Sequence, residues 1–382
     1  MEYFDVSSVV RGKMKPIVHI ITGLNDGGAE GVLSRICLLE PEQHVVISLM
    51  DMGKYGSILE QEGVKVYYLN INPSKIKFKK IIELYSLIRT LNPTIVQTWM
   101  YHADFLGGLT AKIAGVPKIF WGIRHSNLNI NTIKKSTYII MKICALLSYL
   151  IPYKIISCSR DAISSHINQG YKKNKFELVQ NGYDLTKFKP NFDGKITFNY
   201  NKPIIAMVAR YDIQKDHQNL IKALSLLKSE NINFHAVLVG TGMIKENKEL
   251  VQLILQNNLI LNEDITLYGP CNNIPALMNG VDLHVLSSLG EAFPNVLAEA
   301  MACGVPCVST NVGDANEIVG EFGWIVPSKN SLALARAISL ALAEYANYQE
   351  LWRTRKNNSV LHIEKHFELT AMVNNFHKVW EK

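Results

Sequence analysis

Two carboxylates eight positions apart, Glu291 and Glu299 in the stretch Glu-Ala-Phe-Pro-Asn-Val-Leu-Ala-Glu, bracket what reads as the start of a helix. Pro294 suits the first helical position, where its missing N–H costs nothing, and Gly304 suits the stop before the apolar run Val305-Pro306-Cys307-Val308. Glu291 then sits just ahead of the helix and Glu299 within it, so both can be aimed at one spot. A carboxylate accepts hydrogen bonds from vicinal hydroxyls, the mark of a sugar or a ribose. Acidic groups complementing a helix dipole are the plainer alternative.

A pair of cations comes from another loop. In Ala209-Arg210-Tyr211-Asp212-Ile213-Gln214-Lys215-Asp216-His217 a guanidinium and an ammonium stand five residues apart after an apolar run. Arg210 offers a fork to phosphate oxygens and Lys215 a compact point charge, so together they suit a departing diphosphate. Solvated loop charges would look the same. Gly27 and Gly28, in Thr22-Gly23-Leu24-Asn25-Asp26-Gly27-Gly28-Ala29-Glu30, precede a helical pattern and offer bare backbone N–H groups to an anion. The spacing is not G-x-G-x-x-G, which gives nicotinamide binding little support. Gly240, in Gly240-Thr241-Gly242, lacks the third glycine of that fingerprint too and reads as a tight turn letting backbone approach a nucleotide base.

His125, in Gly122-Ile123-Arg124-His125-Ser126-Asn127, follows another strand end, where an imidazole can touch a sugar hydroxyl or serve as a structural residue. Arg124 beside it could serve acceptor phosphates, with a surface role the plainer reading. Cys303 with Cys307, and His362 with His366, have no further ligands nearby, so no metal site is expected.

Positioning these groups falls to short apolar runs that alternate with amphipathic stretches, the pattern of βαβ units. Strands are expected at residues 17–21, 45–49, 64–69, 94–98, 118–123 and 154–158, with a helix over Ala29 to Leu39. The pattern lapses around residues 184–202, a polar stretch with Pro190 and Gly194 that reads as an interdomain linker. It restarts with strands at 203–209, 234–239, 264–268, 282–286, 305–309 and 323–326. Two doubly wound α/β domains with parallel sheets follow, with ligands at the C-terminal ends of strands. Their expected extents are residues 1–187 and 188–360.

A chain of 382 residues is too long for one ordinary core and fits two. With 48% hydrophobic and 19% charged residues it is neither disordered nor a multispanning membrane protein, and a net charge of +7 favours an anionic ligand or surface. Six cysteines without paired spacing fit reduced thiols in a cytoplasm, and Met1 to Lys15 has no apolar core of a secretory leader. Ser136 to Ile151 is apolar on most sides, interrupted only by Lys142 and preceded by Lys134 and Lys135. It is short for a spanning helix and reads either as a helix buried on the first sheet or as one lying on an anionic membrane surface.

Taken in order, the Gly27-Gly28-Ala29-Glu30 loop, His125, Arg210 with Lys215, the Glu291 to Glu299 element, Gly304-Val305-Pro306 and the segment Gly313 to Glu317 resemble the retaining glycosyltransferases of family 4, over essentially the whole chain. The resemblance implies the GT-B architecture, two Rossmann-like domains facing a cleft, with residues 361–382 returning to the first domain. It implies that Glu299 holds the ribose hydroxyls and Glu291 the donor sugar, while Arg210 and Lys215 clamp the diphosphate. His125 would contact the transferred sugar and Gly27 and Gly28 would lie near the phosphates and acceptor. Gly240, Phe293, Pro294, Asn295 and Val296 complete the expected donor site. Ala292 stands where the family often has glycine, so its Cβ is expected to limit which hexose fits.

The activity so implied is transfer of a hexose or N-acetylhexosamine from a nucleotide sugar, uridine-linked, to a saccharide acceptor carried on a lipid diphosphate, in surface polysaccharide assembly. No metal or other cofactor is required by that scheme, and nucleic acid is not an expected partner. The enzyme would work in the cytoplasm, peripherally on the inner membrane face. A nucleotide-sugar 2-epimerase shares the architecture, and a non-catalytic nucleotide-sugar-binding subunit would keep the same residues.

Overall fold

The computed structural model describes residues 15–25, 27–72, 77–126, 128, 134–191 and 193–382. Asp26, Asn127 and residues 1–14, on which parts of the motifs and the absence of a leader were read, lie outside them. In the first half the chain alternates β1 (Ile17–Ile21), α1 (Gly28–Leu39), β2 (His44–Ser48), α2 (Gly53–Gln61), β3 (Lys65–Tyr68), α3 (Phe78–Leu91), β4 (Ile95–Trp99), α4 (Met100–Ile113), β5 (Lys118–Ile123), α5 (Lys135–Leu147), β6 (Lys154–Ser157), α6 (Arg160–Asn168) and β7 (Phe176–Leu178). The strands form one parallel sheet in the order β3-β2-β1-β4-β5-β6-β7. Its inner strands are Val- and Ile-rich and buried on both faces, as parallel strands covered by helices must be. Edge strand β7 has no counterpart among the sequence expectations, because three residues with Glu177 at the centre make no apolar run.

The second half repeats the plan with β8 (Ile204–Val208), α7 (His217–Ser229), β9 (His235–Val239), α8 (Lys248–Gln256), β10 (Ile265–Gly269), α9 (Ile274–Met278), β11 (Leu283–Leu286), α10 (Asn295–Ala302), β12 (Cys307–Thr310), α11 (Ala315–Val319), β13 (Trp324–Val326) and α12 (Ser331–Asn347). Six parallel strands run β10-β9-β8-β11-β12-β13. In each sheet the order reverses beside the first strand, and the crevice at such a reversal is where ligands of doubly wound sheets sit.

Two helices end the chain, α13 (Gln349–His366) and α14 (Leu369–Glu381). Helix α14 belongs to the first sheet: Met372, Val373, Phe376 and Trp380 share a core with Ile21, Trp99 and Phe120. Trp380 donates from Nε1 to Gln97 Oε1 at 3.1 Å, His377 meets Glu40 at 2.6 Å, and Lys118 reaches the carbonyl of Glu381 at 3.2 Å. Under this helix His19, Cys37 and His44 lie close together and buried. Trp99 donates its indole N–H to His19 Nδ1 at 3.2 Å, so neutral His19 carries its proton on Nε2 and passes it toward His44 Nδ1 at 3.0 Å. The atom of His19 that faces the cluster is thus a donor, which does not fit a metal ligand.

Helix α5 packs on the sheet through Met141, Cys144 and Ala145 while its other side stays exposed. Among the described residues no helix is long and apolar enough to cross a membrane.

Candidate active site

The strand order places the loop after β8 beside the loop after β11, which brings Lys215 to Glu291. Lys215 Nζ donates to Glu291 Oε1 at 2.5 Å, and Ser288 Oγ donates to the same oxygen at 2.7 Å. Both side chains are largely buried. The two loops are sewn together by backbone: Leu289 N–H donates to the Gln214 carbonyl at 2.7 Å, and Ser287 Oγ reaches the carbonyls of Lys215 and Asp216. An ammonium has three N–H donors, so the pair with Glu291 leaves others for a ligand.

Arg210 opens the loop that carries Lys215. Its Nε pairs with Asp212 Oδ2 at 3.2 Å on the same loop, and its side chain is mostly exposed. Asp212 in turn accepts from the Gln214 amide at 2.9 Å, so it shapes the loop that carries Lys215. Gly240 has φ +137°, and a Cβ there would run into the Ala209 carbonyl. Only glycine lets the ends of β8 and β9 approach so closely.

Helix α10 starts at Asn295, with Pro294 in the N-cap position rather than the first helical one. Proline has no side-chain acceptor, so no side chain caps α10; the Leu297 amide bonds back to the Pro294 carbonyl at 3.1 Å. Gly304, at φ +72°, closes the helix as expected. Val296 lies half-buried in the first turn. The Phe293 side chain turns into the core, edge-on to Phe367 at 5.6 Å, which leaves its backbone on the corner after Glu291.

Ala292 needs no unusual backbone angle and its side chain is buried in the second core. The close approach at this corner belongs to Gly313, φ +52°, whose Cβ would strike the carbonyls of Glu291 and Ala292.

The two sheets meet across the cleft through named bonds. Ser126 donates to the Glu291 carbonyl. Asn295 Oδ1 accepts from Asn181 Nδ2 at 2.8 Å and from the Tyr183 hydroxyl at 2.6 Å, while Arg124 donates to Asn181 Oδ1 at 2.7 Å. Asp314 accepts from the Arg160 amide at 3.3 Å. Arg124 is therefore not a surface residue: its guanidinium lies against an aromatic pair, 5.2 Å from the Trp99 ring and 5.4 Å from that of Phe376. His125, half-exposed between Arg124 and Ser126, stands near His166, an imidazole that burial holds down at about 4.

Gly27 is the N-cap of α1 and Gly28 its first residue. A Cβ on Gly28 would lie 3.7 Å from Asn295 Nδ2, so the bare start of α1 confronts the start of α10. The Glu30 carboxylate folds back over Gly27, which makes this end a poorer anion hole than its glycines suggest.

Glu299, one turn into α10, is half-buried and faces Arg35 of α1. Burial raises its carboxyl above the ordinary value and the Arg35 guanidinium opposes the rise. Arg35 lies over the Tyr183 ring at 5.1 Å, with two of its N–H groups lacking a partner. Arg35, Asn181, Tyr183 and Ser288 were not singled out from the sequence as chemistry-bearing, because none belongs to a spaced pattern.

Comparison with known proteins agrees with this architecture. Residues 188–358 match the family model described as glycosyl transferases group 1. The chain is 28% identical over 272 residues, 68% of its length and 69% of the other's, to the Escherichia coli UDP-Gal:alpha-D-GlcNAc-diphosphoundecaprenol alpha-1,3-galactosyltransferase. It is 26% identical over 325 residues, covering 80% of this chain and 84% of the relative, to the Campylobacter jejuni N,N'-diacetylbacillosaminyl-diphospho-undecaprenol alpha-1,3-N-acetylgalactosaminyltransferase. The crystal structure of Anabaena Alr3699/HepE in complex with UDP and glucose superposes with a TM-score of 0.82 at 20% identity, over 97% of this chain and all of that one. The chain thus carries a group 1 glycosyltransferase domain and is a glycosyltransferase of GT-B architecture.

Proposed function

We propose that this enzyme transfers a hexose or N-acetylhexosamine, with retained anomeric configuration, from a UDP sugar to a saccharide on a lipid diphosphate, during surface polysaccharide assembly and peripherally at the cytoplasmic face of the membrane. The observation that carries the reading is the Lys215–Glu291–Ser288 cluster at the uncapped start of α10. The two relatives named for undecaprenol-diphosphate acceptors support the acceptor class.

A nucleoside diphosphate leaves readily and needs charge stabilisation more than a protonating acid. In this reading the remaining N–H donors of Lys215, the Arg210 guanidinium and the α10 amides take up the charge that develops on the β-phosphate. Glu291 holds Lys215 in place and presents its second carboxylate oxygen to a donor-sugar hydroxyl. Glu299 accepts from the ribose hydroxyls, and Gly240 leaves room for the base. The leaving phosphate oxygen takes the acceptor's proton on the face it departs from, so the new bond keeps the old configuration. His125 contacts the sugar from the opposite domain.

Mass spectrometry of products from a nucleotide-sugar panel with extracted lipid-linked saccharides tests the reading, with NMR giving the anomeric configuration. Transfer of one hexose with retention is the expected result. Donor consumed to free or epimerised sugar with no acceptor product would instead support the 2-epimerase, and no turnover of any donor would support the binding subunit.

A further inference from the structure

Helices α1 and α10 belong to different domains and approach each other across the seam. A Cβ on Gly28, at the start of α1, would lie 3.7 Å from Asn295 Nδ2, at the start of α10. From that contact both helices carry side chains along one face at the helical period. One turn beyond Asn295 on its face stands Glu299, and two turns beyond Gly28 on its own stands Arg35. Tyr183 fixes this alignment: the Arg35 guanidinium lies 5.1 Å from the centroid of its ring, and its hydroxyl donates to Asn295 Oδ1 at 2.6 Å. One side chain thus carries the cation on its face and the first residue of α10 on its rim.

The first domain in this way sends a cation to the carboxylate assigned to the ribose. Arg35 Nε and Nη2 are buried without a protein partner, and the guanidinium acts on Glu299 as a nearby charge rather than through a hydrogen bond. Arg355 shows the structural alternative, donating from Nε and Nη2 to both oxygens of Glu344 at 2.7 and 2.8 Å. Such a fork occupies the carboxylate, whereas a cation standing off from it leaves the lone pairs to hydroxyl donors. The other groups packed around α10 contribute no competing charge among the described residues. Lys356 of α13 acts on Asp282, Glu317 of α11 pairs with Arg160 at 3.9 Å, and α9 has no charged residue. Burial holds His284 of β11 neutral, down at about 3, and raises the Tyr183 hydroxyl and the thiols of Cys303 and Cys307.

We infer that Arg35 is a positioning residue for the donor nucleotide: it acts through Glu299, steadying that carboxylate toward the ribose hydroxyls, and so gives the first domain a part in a recognition otherwise made by the second. The inference rests on the ribose role proposed for Glu299 above. Because cation and carboxylate ride on different domains, ribose recognition reaches full strength only with α1 beside α10.

The test compares UDP with 2′-deoxy-UDP, which share base and phosphates and differ in one hydroxyl, by isothermal titration calorimetry on the full chain. The wild type should prefer UDP by about tenfold or more, the scale of a hydrogen bond to a charged acceptor. Arg35→Met should weaken UDP binding more than 2′-deoxy-UDP binding, so that the preference shrinks to about threefold, and Arg35→Lys should restore most of it. Glu299→Ala should abolish the preference, and adding Arg35→Met to it should then change nothing further. The phosphate titration is common to both probes, so the preference followed against pH reports the carboxylate. It should fade on acidification, and at a higher pH in Arg35→Met than in the wild type, because loss of the cation makes Glu299 easier to protonate. Circular dichroism melts confirm folding, and Arg35→Gln repeats the measurement should Arg35→Met fail to fold. An arginine variant that weakens both probes alike, or neither, overturns the inference while the ribose role of Glu299 stands. A preference that survives Glu299→Ala overturns that role, and the inference with it.

Discussion

Lys215 and Glu291, 76 residues apart in sequence, meet through a 2.5 Å hydrogen bond that joins the two loops at the reversal point of the second sheet. Replacing the ammonium leaves a largely buried carboxylate with Ser288 alone and removes the cation nearest the expected leaving group. Lys215→Ala should lower kcat by roughly 10² to 10³, with Lys215→Arg recovering part of the loss. Steady-state kinetics at saturating donor decide it, and a wild-type kcat in Lys215→Ala removes the charge-stabilising role.

Glu299, one turn into α10, faces Arg35, and the proposed reaction gives it the ribose rather than the reacting bond. Its loss should weaken ground-state and transition-state binding alike, so Glu299→Ala should raise the donor KM roughly tenfold with kcat within about twofold. Donor titrations on both forms give the split; a fall confined to kcat would place Glu299 at the reaction centre instead.

Tyr183 and Asn181 both donate to Asn295 Oδ1, which ties the start of α10 to the first domain. Tyr183→Phe removes one donor and keeps the ring beneath Arg35, so it should cost about 1 kcal/mol of stability. Urea unfolding followed by fluorescence measures it, and the donor KM should rise a few-fold as Asn295 loosens.

Gly313 has φ +52° and no room for a Cβ against the Glu291 and Ala292 carbonyls. Gly313→Ala should destabilise the chain by about 1 to 3 kcal/mol and displace Glu291, so activity should fall more than stability alone explains. Comparison of the melting temperature with kcat/KM, measured well below that temperature, separates the two effects.

Asp314 bridges the domains with its carboxyl pushed up to about 6, first by burial, with Glu317 and Asp161 adding to the rise and the Arg160 and Asp161 amides opposing it. A raised acid contributes stability that is complete below its unfolded value and fades as pH climbs through the folded value. Wild-type stability relative to Asp314→Asn should therefore fall between about pH 4 and about pH 7. Denaturant midpoints of both proteins across that range test the sign, and a difference that grows with pH would contradict it.

Much of the fold was legible because parallel strands buried on both faces must be apolar runs, and glycines mark the loops where backbones crowd. Gly240 and Gly304 were read from such local demands. The pairing of Lys215 with Glu291 was not, since it depends on β8 lying next to β11, a matter of strand order rather than spacing. Arg124 was read toward the surface because a guanidinium is normally solvated. The Trp99 and Phe376 rings it lies against come from a strand and a helix far apart in sequence. The crowding at Gly313 was hidden for a related reason: the Glu291 and Ala292 carbonyls it meets are neighbours only in space.

The return of α14 to the first sheet has a consequence for how the protein is made. The domain that leaves the ribosome first is finished last, because the face bearing Ile21, Trp99 and Phe120 is covered only when Phe376 and Trp380 arrive. At ordinary elongation rates that interval is on the order of tens of seconds. Throughout it the nascent first domain shows an aromatic surface that a chaperone could hold, and premature termination anywhere in the second domain would leave that surface permanently open.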